Sequence, residues 1–376
     1  MAIAELMGIA VDLANLLEQQ GEATVLALGG LVVGCLFGFF AQRARFCLRA
    51  AVIDFWHHHF GERLAVWLLA FSTTVLVVQL LILSHLLDVS GARQFATRGS
   101  LSGALIGGLL FGIGMILTRG CASRLLILSA NGNLRALLSG LVFAVAAQAS
   151  LAGVLAPLRL SISEWWTVEP GPSRNILASL GLGNGSGALA GLLWLACAVY
   201  LIRHNPTHKL RLWISAIGCG FCVALAWWYT YFISTQSFEP IAIQGMTFSG
   251  PSAEWLMRVL SPTSQKIGFD FGMLPGVFVG SFIGAVVGKD LKLEGFKDGY
   301  SMTRYITGAI LMGFGSMLAG GCAVGAGMTG GAIFAVTAWL TLIGMWIGAG
   351  FTDRLLDGAS LEQQIFETPP APVVAP

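Results

Sequence analysis

The sequence predicts an all-α integral membrane protein of about nine transmembrane helices, and three observations predict it. The 376 residues are 56% hydrophobic and only 11% charged, with mean hydropathy +0.77, whereas a soluble domain carries roughly 25% charged residues to wet its surface. Apolar runs of the ~17–25 residues that a bilayer crossing takes recur along nearly the whole chain. The 49 glycines and 11 tryptophans suit helices packed closely in lipid with aromatic rings at its interfaces. A net charge of +2 offers no basic face for nucleic acid. The partner that this composition demands is the lipid bilayer.

Taken in order, residues 1–20 read as a short amphipathic helix at the interface; no Lys or Arg precedes Arg43, so nothing resembles a cleaved secretory signal. The spans follow at 24–42, 64–84, 101–118, 134–155, 187–203, 211–233, 271–289, 303–319 and 331–350. Residues 1–350 thus form one transmembrane domain, and 351–376 read as a short, disordered cytoplasmic tail ending in the Pro-rich ETPPAPVVAP. Of the 21 Lys and Arg residues, 15 fall in the loops after spans 1, 3, 5 and 7, at the span ends bordering those loops, or in the tail, and 6 in the other loops. Cationic loops stay in the cytoplasm. The N-terminus is therefore expected outside and the C-terminus inside.

An internal repeat organises the chain. Gly107–Ala122, GGLLFGIGMILTRGCA, and Gly308–Ala323, GAILMGFGSMLAGGCA, share eight identities in sixteen ungapped positions at an offset of 201. Phe46-Cys47 finds a weaker echo in Phe248-Ser249. Span 3 and span 8 run in opposite directions, so the copies, about 24–155 and 211–350 (spans 1–4 and 6–9), are expected to be inverted, with span 5 connecting them. Transporters built this way bind substrate near the bilayer midplane, where broken helices meet. The stretches after spans 3 and 8 read as short re-entrant segments, because irregular backbone at that depth survives only inside protein or around a water-filled cavity.

Seven cysteines are present, an odd number that does not suit a secreted disulfide framework. Three stand at helix ends: Cys47 in AQRARFCLRA, Cys121 in LTRGCASRLL and Cys322 in LAGGCAVGAGMTGG. Glycines beside them (Gly120, Gly320, Gly321, Gly325) let the backbone approach a ligand closely. Helix starts offer unpaired N–H groups to an anion, and Arg45, Arg49, Arg119 and Arg124 lie near the first two cysteines in sequence. A thiol adds a weak donor and a soft sulfur, which suits a small anion that itself exposes sulfur. Cys35, Cys197, Cys219 and Cys222 read as packing residues. Gly276, Gly280, Gly284 and Gly288 form GxxxG steps, a seam for a neighbouring helix. No metal site is expected, since His57, His58 and His59 would point apart on a helix, nor is a nucleotide site, because GAGMTGG has no Lys after it. No cofactor is implied.

The segments R-x-R-F-C at Arg43–Cys47, R-G-C at Arg119–Cys121 and G-G-C-A-x-G at Gly320–Gly325 resemble the YeeE/YedE family of sulfur-compound transporters, and the resemblance covers roughly 24–350. It implies thiosulfate uptake across the bacterial inner membrane through an hourglass-shaped fold with re-entrant helices. It also implies a pathway lined by Cys47, Cys121 and Cys322, and a separate TusA-like sulfurtransferase as cytoplasmic partner. Neutral thiols would hand the anion along by hydrogen bonds. Two alternatives stay open: a membrane sulfurtransferase or thiol oxidoreductase forming persulfides on the same cysteines, or transport of another small sulfur or selenium anion. Asp54, Glu239, Asp270 and Asp290 are candidate ionisable coupling groups.

Overall fold

The computed structural model describes residues 21–183, 185–204, 210–237, 240–261, 267–295 and 299–367. The interfacial helix expected over 1–20 lies outside them. The main helices are α1 (Glu22–Arg43), α2 (Leu48–Trp56), α3 (Glu62–Leu83), α4 (Leu101–Leu117), α5 (Ala122–Ala130), α6 (Leu134–Ala152), α7 (Ala156–Glu164), α8 (Gly185–His204), α9 (Leu210–Gln236), α10 (Ser249–Leu260), α11 (Phe269–Gly288), α12 (Gly299–Ala319) and α13 (Val336–Glu367), with a π-helix at Ala323–Gly330. The only sheet among the described residues is the two-residue pairing of Gly99–Ser100 with Thr167–Val168.

By length and composition, eight helical stretches among the described residues can cross a bilayer. The ninth expected span, 331–350, falls largely within α13, which starts at Val336 and packs along α4. Outward faces carry exposed apolar residues, among them Leu28 and Val32 on α1, Leu189 and Leu193 on α8, and Val279 and Val287 on α11. Water would not tolerate that belt, and hydrocarbon does. The chain is a multi-pass membrane protein.

One boundary needs correction. The tail expected to lose order at 351 continues as helix through Glu367. FTDRLLDGASLEQQIFE contains no proline, and the first one after it is Pro369, so nothing in this stretch removes a helical N–H donor. Residues 368–376 lie outside the described residues.

Glycine sets the tightest helix pair. Along α1 and α11, a Cβ added at Gly34 would collide with the carbonyl of Met273, one at Gly38 with that of Val277, and one at Gly280 with that of Cys35. The contacts advance together along both helices, so the pair is parallel, and the expected GxxxG seam is met by a second one. α4 and α12 run antiparallel instead: Gly107 abuts the carbonyl of Gly315, and Gly114 that of Gly308. α1 and α9 are also antiparallel, since Gly218 sits on the Phe40 ring while Tyr229 donates to the Val25 carbonyl at 2.6 Å. Among the other contacts, α1 packs on α11 as α9 packs on α3, and α4 on α13 as α12 on α6. Helix α8 lies along α3.

Candidate functional site

Three helix ends share one local structure. After α1, α4 and α12 the chain takes a left-handed residue, Arg45 (φ 51), Arg119 (φ 58) and Gly320 (φ 77). The next N–H then reaches back five residues: Phe46 to the Ala41 carbonyl at 3.0 Å, Gly120 to Met115 at 3.1 Å, Gly321 to Ser316 at 2.9 Å. This is a Schellman closure, which satisfies the last carbonyls of a helix. The residue after it is in each case a cysteine in extended conformation, Cys47, Cys121 and Cys322, and each caps the N-terminus of the following short helix. Gly320 takes its positive φ without the roughly 1 kcal/mol that a side chain adds there; Arg45 and Arg119 bear that cost.

The thiols are grouped inside the bundle. Cys121 and Cys322 are buried and Cys47 is half-buried. The Cys47 and Cys121 thiols are neighbours, and Cys121 Sγ lies 3.4 Å from Ser123 Oγ. Cys322 Sγ accepts from the Phe248 N–H at 3.4 Å and from the Gly325 N–H at 3.5 Å. Helix α5, headed by Cys121, touches the π-helix headed by Cys322. Between the two groups stand three buried rings, with Phe37 centred 6.3 Å from Phe46 and 5.7 Å from Phe248. At Gly325 a Cβ would strike the Thr247 hydroxyl, so a larger residue beside Cys322 would have to displace Thr247.

Charge is divided between the two ends. Arg124, half-buried, lies beside both Cys47 and Cys121 and reaches Gln42 Oε1 at 3.4 Å. Arg49 lies beside Cys47, and its buried Nε makes no hydrogen bond. Arg45 and Arg119 are exposed at the same end, Arg45 lying 3.8 Å from Asp290. At the opposite end a cavity of about 350 Å³ opens onto the surroundings of Cys322, lined by Thr247, Ser249, Gly320 and Gly325 and by the charged Arg93, Arg159, Glu254 and Asp270. Those four charges come from separate segments and share no motif. Their one signal in the sequence is the rarity of charge at the edge of apolar runs, which singles out Asp270 but not its neighbours.

The remaining sequence candidates sit apart from the thiols. Cys219 and Cys222 are buried in α9, Cys197 is exposed, and Cys35 lies in the α1–α11 seam. His57 bonds Asp353 at 2.7 Å, and Asp54 lies 3.9 Å from Arg63. Glu239 lies outside the described residues. Helices α2 and α10, which the reading of apolar spans leaves in loops, carry Cys47 and the Phe248 donor into the core at their first turns.

This chain is similar to curated relatives along most of its length. It is 28% identical over 334 residues to a protein named Thiosulfate transporter TsuA of Spirochaeta thermophila, covering 85% of this chain and 96% of that one. It is 27% identical over 338 residues to the protein of the same name in Escherichia coli, covering 86% and 92%. A protein named Probable transporter YedE in Salmonella typhimurium is 37% identical over 84 residues, 21% of each chain. These relatives are transporters rather than enzymes. A family profile described as Sulphur transport matches residues 43–351, and the chain belongs to that family of sulfur-compound transporters.

Proposed function

We propose that this protein imports thiosulfate across the bacterial inner membrane along a path that passes Cys322, then Cys121 and Cys47. The observation that carries the reading is the recurrence of one device: three cysteines, each two residues after a left-handed turn and each heading a short helix in the core. Cys322 Sγ already accepts two backbone N–H groups, so its own proton is free to be donated to an anion. Thiols are weak donors, and a weak hold suits conduction, in which each site must release the ion to the next. Gly120, Gly321 and Gly325 keep the cysteine-bearing turns narrow, and Arg124 offsets the charge that a dianion brings to the inner pair. The name thiosulfate transporter, carried by two relatives that match nearly end to end, supports the choice of substrate.

In this reading the two halves, about 24–155 and 211–350, are inverted copies. Their support is the reciprocal packing: equivalent helices α4 and α12, like α1 and α9, cross antiparallel, and the remaining partners exchange between halves. The short helices are the re-entrant elements of a single hourglass. The cysteine pair at the cationic end faces the cytoplasm, where a separate TusA-like sulfurtransferase would receive the sulfur. A reporter fused after Pro376 is expected to be active only in its cytoplasmic form. Periplasmic activity would reverse the direction of the path.

The substrate and the mechanism are tested together. Cells expressing this chain should accumulate thiosulfate labelled at either sulfur equally, as a pathway that passes the intact anion requires. Cys322→Ser should retain measurable uptake, because a hydroxyl still donates. Intact mass after incubation with thiosulfate should show no sulfur adduct on Cys47, Cys121 or Cys322. A stoichiometric, reductant-sensitive adduct together with a dead serine variant would replace the hydrogen-bonded relay by a persulfide mechanism.

A further inference from the structure

The cavity outside Cys322 holds charges that a simple anion funnel does not need. Arg93 and Arg159 are what a dianion would seek, and both also grip backbone, Arg93 at the Gly320 carbonyl (3.1 Å) and Arg159 at the Ser150 carbonyl (2.7 Å). Glu254 and Asp270 line the same space. Both acids border a second, smaller cavity of about 90 Å³ with Gln244 and Arg258, so they face one another from two sides. Asp270 Oδ1 is buried and has no hydrogen-bond partner, and Gln244 lies beside the carboxyl.

The charge balance of this space points to a second ligand. With both acids ionised, Arg93, Arg159 and the neighbouring Arg258 exceed the two carboxylates by one positive charge. Loading a dianion then leaves one uncompensated negative charge in a confined volume, where like charges are strongly disfavoured. The ion that removes this conflict without occupying space is a proton. An unpartnered buried oxygen on Asp270, beside a second carboxyl, is where a proton can be held.

We propose that Asp270, together with Glu254, is a proton-binding site, and that thiosulfate reaches Cys322 only with a proton on this pair. The proton comes from water in the cavity and forms an O–H bond on the Asp270 carboxyl; no redox step is involved. The groups facing Asp270 are Glu254 and Arg258 from α10, Gln244, Arg93 from the segment before α4, and Arg159 from α7 across the cavity. Glu22, at the start of the neighbouring α1, is engaged by the Ser237 hydroxyl. The inference rests on the thiosulfate reading above and adds the co-bound proton.

The test uses the full chain in proteoliposomes, with thiosulfate uptake measured while the pH on the cavity side is varied between about 5.5 and 8. Thiosulfate stays a dianion across that range, so its own titration adds nothing. Wild-type uptake should be greatest in acid and fall as pH rises, approaching about tenfold per pH unit, the limit for one required proton. Asp270→Asn should retain uptake with a flat profile, because the amide permanently removes the charge. Glu254→Gln, the variant to read if Asp270→Asn fails to reach the membrane, should weaken the pH dependence. Calorimetry of thiosulfate binding in two buffers of different ionisation enthalpy should register proton uptake in the wild type and none in Asp270→Asn. A pH-independent wild type, or a wild-type profile kept by both variants, overturns the proton site and leaves the transporter reading standing. Absence of thiosulfate uptake at every pH overturns the transporter reading itself.

Discussion

Cys322→Ala and Cys121→Ala are each expected to lower thiosulfate uptake roughly ten- to hundredfold, with the protein still present in the membrane. The estimate follows from the donor that is lost. A hydrogen bond to a charged group is worth about 1.5–3 kcal/mol, and that loss along the transport path converts to about one to two powers of ten in rate. At Cys322 the alanine also strands the N–H groups of Phe248 and Gly325, which now point at the sulfur. Cys47→Ala should fall less, because Cys47 is half-buried and Arg49 and Arg124 remain beside it. Cys197, exposed in α8 away from this cluster, is the control, and its alanine variant should transport normally. Uptake of labelled thiosulfate, normalised to membrane-inserted protein, reads all four. Equal loss at every position, or at none, would remove the thiols from the path.

The largest structural effect is expected at the α1–α11 seam. Gly280→Leu should prevent accumulation of folded protein, and Gly280→Ala should lower the detergent melting temperature by many degrees. A Cβ at Gly280 falls onto the carbonyl of Cys35 and crowds the Cys35 Cα. Both obstacles are backbone, so no rotamer change relieves them and the helices themselves must part. Overpacking a core typically costs about 1–3 kcal/mol, and more where the neighbour cannot yield. Separating this pair also opens the contacts of Gly30, Gly34, Gly272 and Gly276 on the same seam. Gly140→Ala supplies the contrast: it is also a helical glycine, on α6, but a Cβ there meets nothing within 4 Å. It should be neutral or stabilising by about 0.5–1 kcal/mol. Similar melting curves for the two alanine variants would show that the seam is slack.

Much of this architecture is legible in the sequence because lipid simplifies the code. A helix such as α8, expected over 187–203 and observed over Gly185–His204, must be apolar on nearly every side, and its polar flanks mark its ends. The repeat is legible because Gly107–Ala122 and Gly308–Ala323 obey the same backbone demands, a tight crossing followed by a Schellman turn. Helices of nine to twelve residues escape such a reading. Leu48–Trp56 and Ser249–Leu260 are shorter than a span and amphipathic, so their apolar side resembles the edge of a loop. The cavity beside Cys322 was hidden for a different reason. Arg93, Arg159, Glu254 and Asp270 are brought together by tertiary packing alone, and no local pattern of residues encodes their meeting. The continuation of α13 to Glu367 is not legible from the Pro-rich end of the tail, whose first proline comes only at Pro369.

The Schellman turns before the three cysteines have a mechanical consequence. Each thiol is joined to a long helix by only two or three intervening residues and a backbone hydrogen bond that bridges them, which leaves little slack in the tether. Moving Cys47 as a backbone unit means moving α1, which the glycine seam clamps to α11; moving Cys121 or Cys322 means prying α4 from α12. On the pathway proposed above, the thiols are thus mounted on closely packed helix pairs. What remains free to respond when an anion passes is rotation about single bonds, in the thiols and in rings such as Phe37, and such rotations need no domain to swing. A scaffold of this kind favours rapid passage past fixed stations over a slow mechanical cycle of rocking halves.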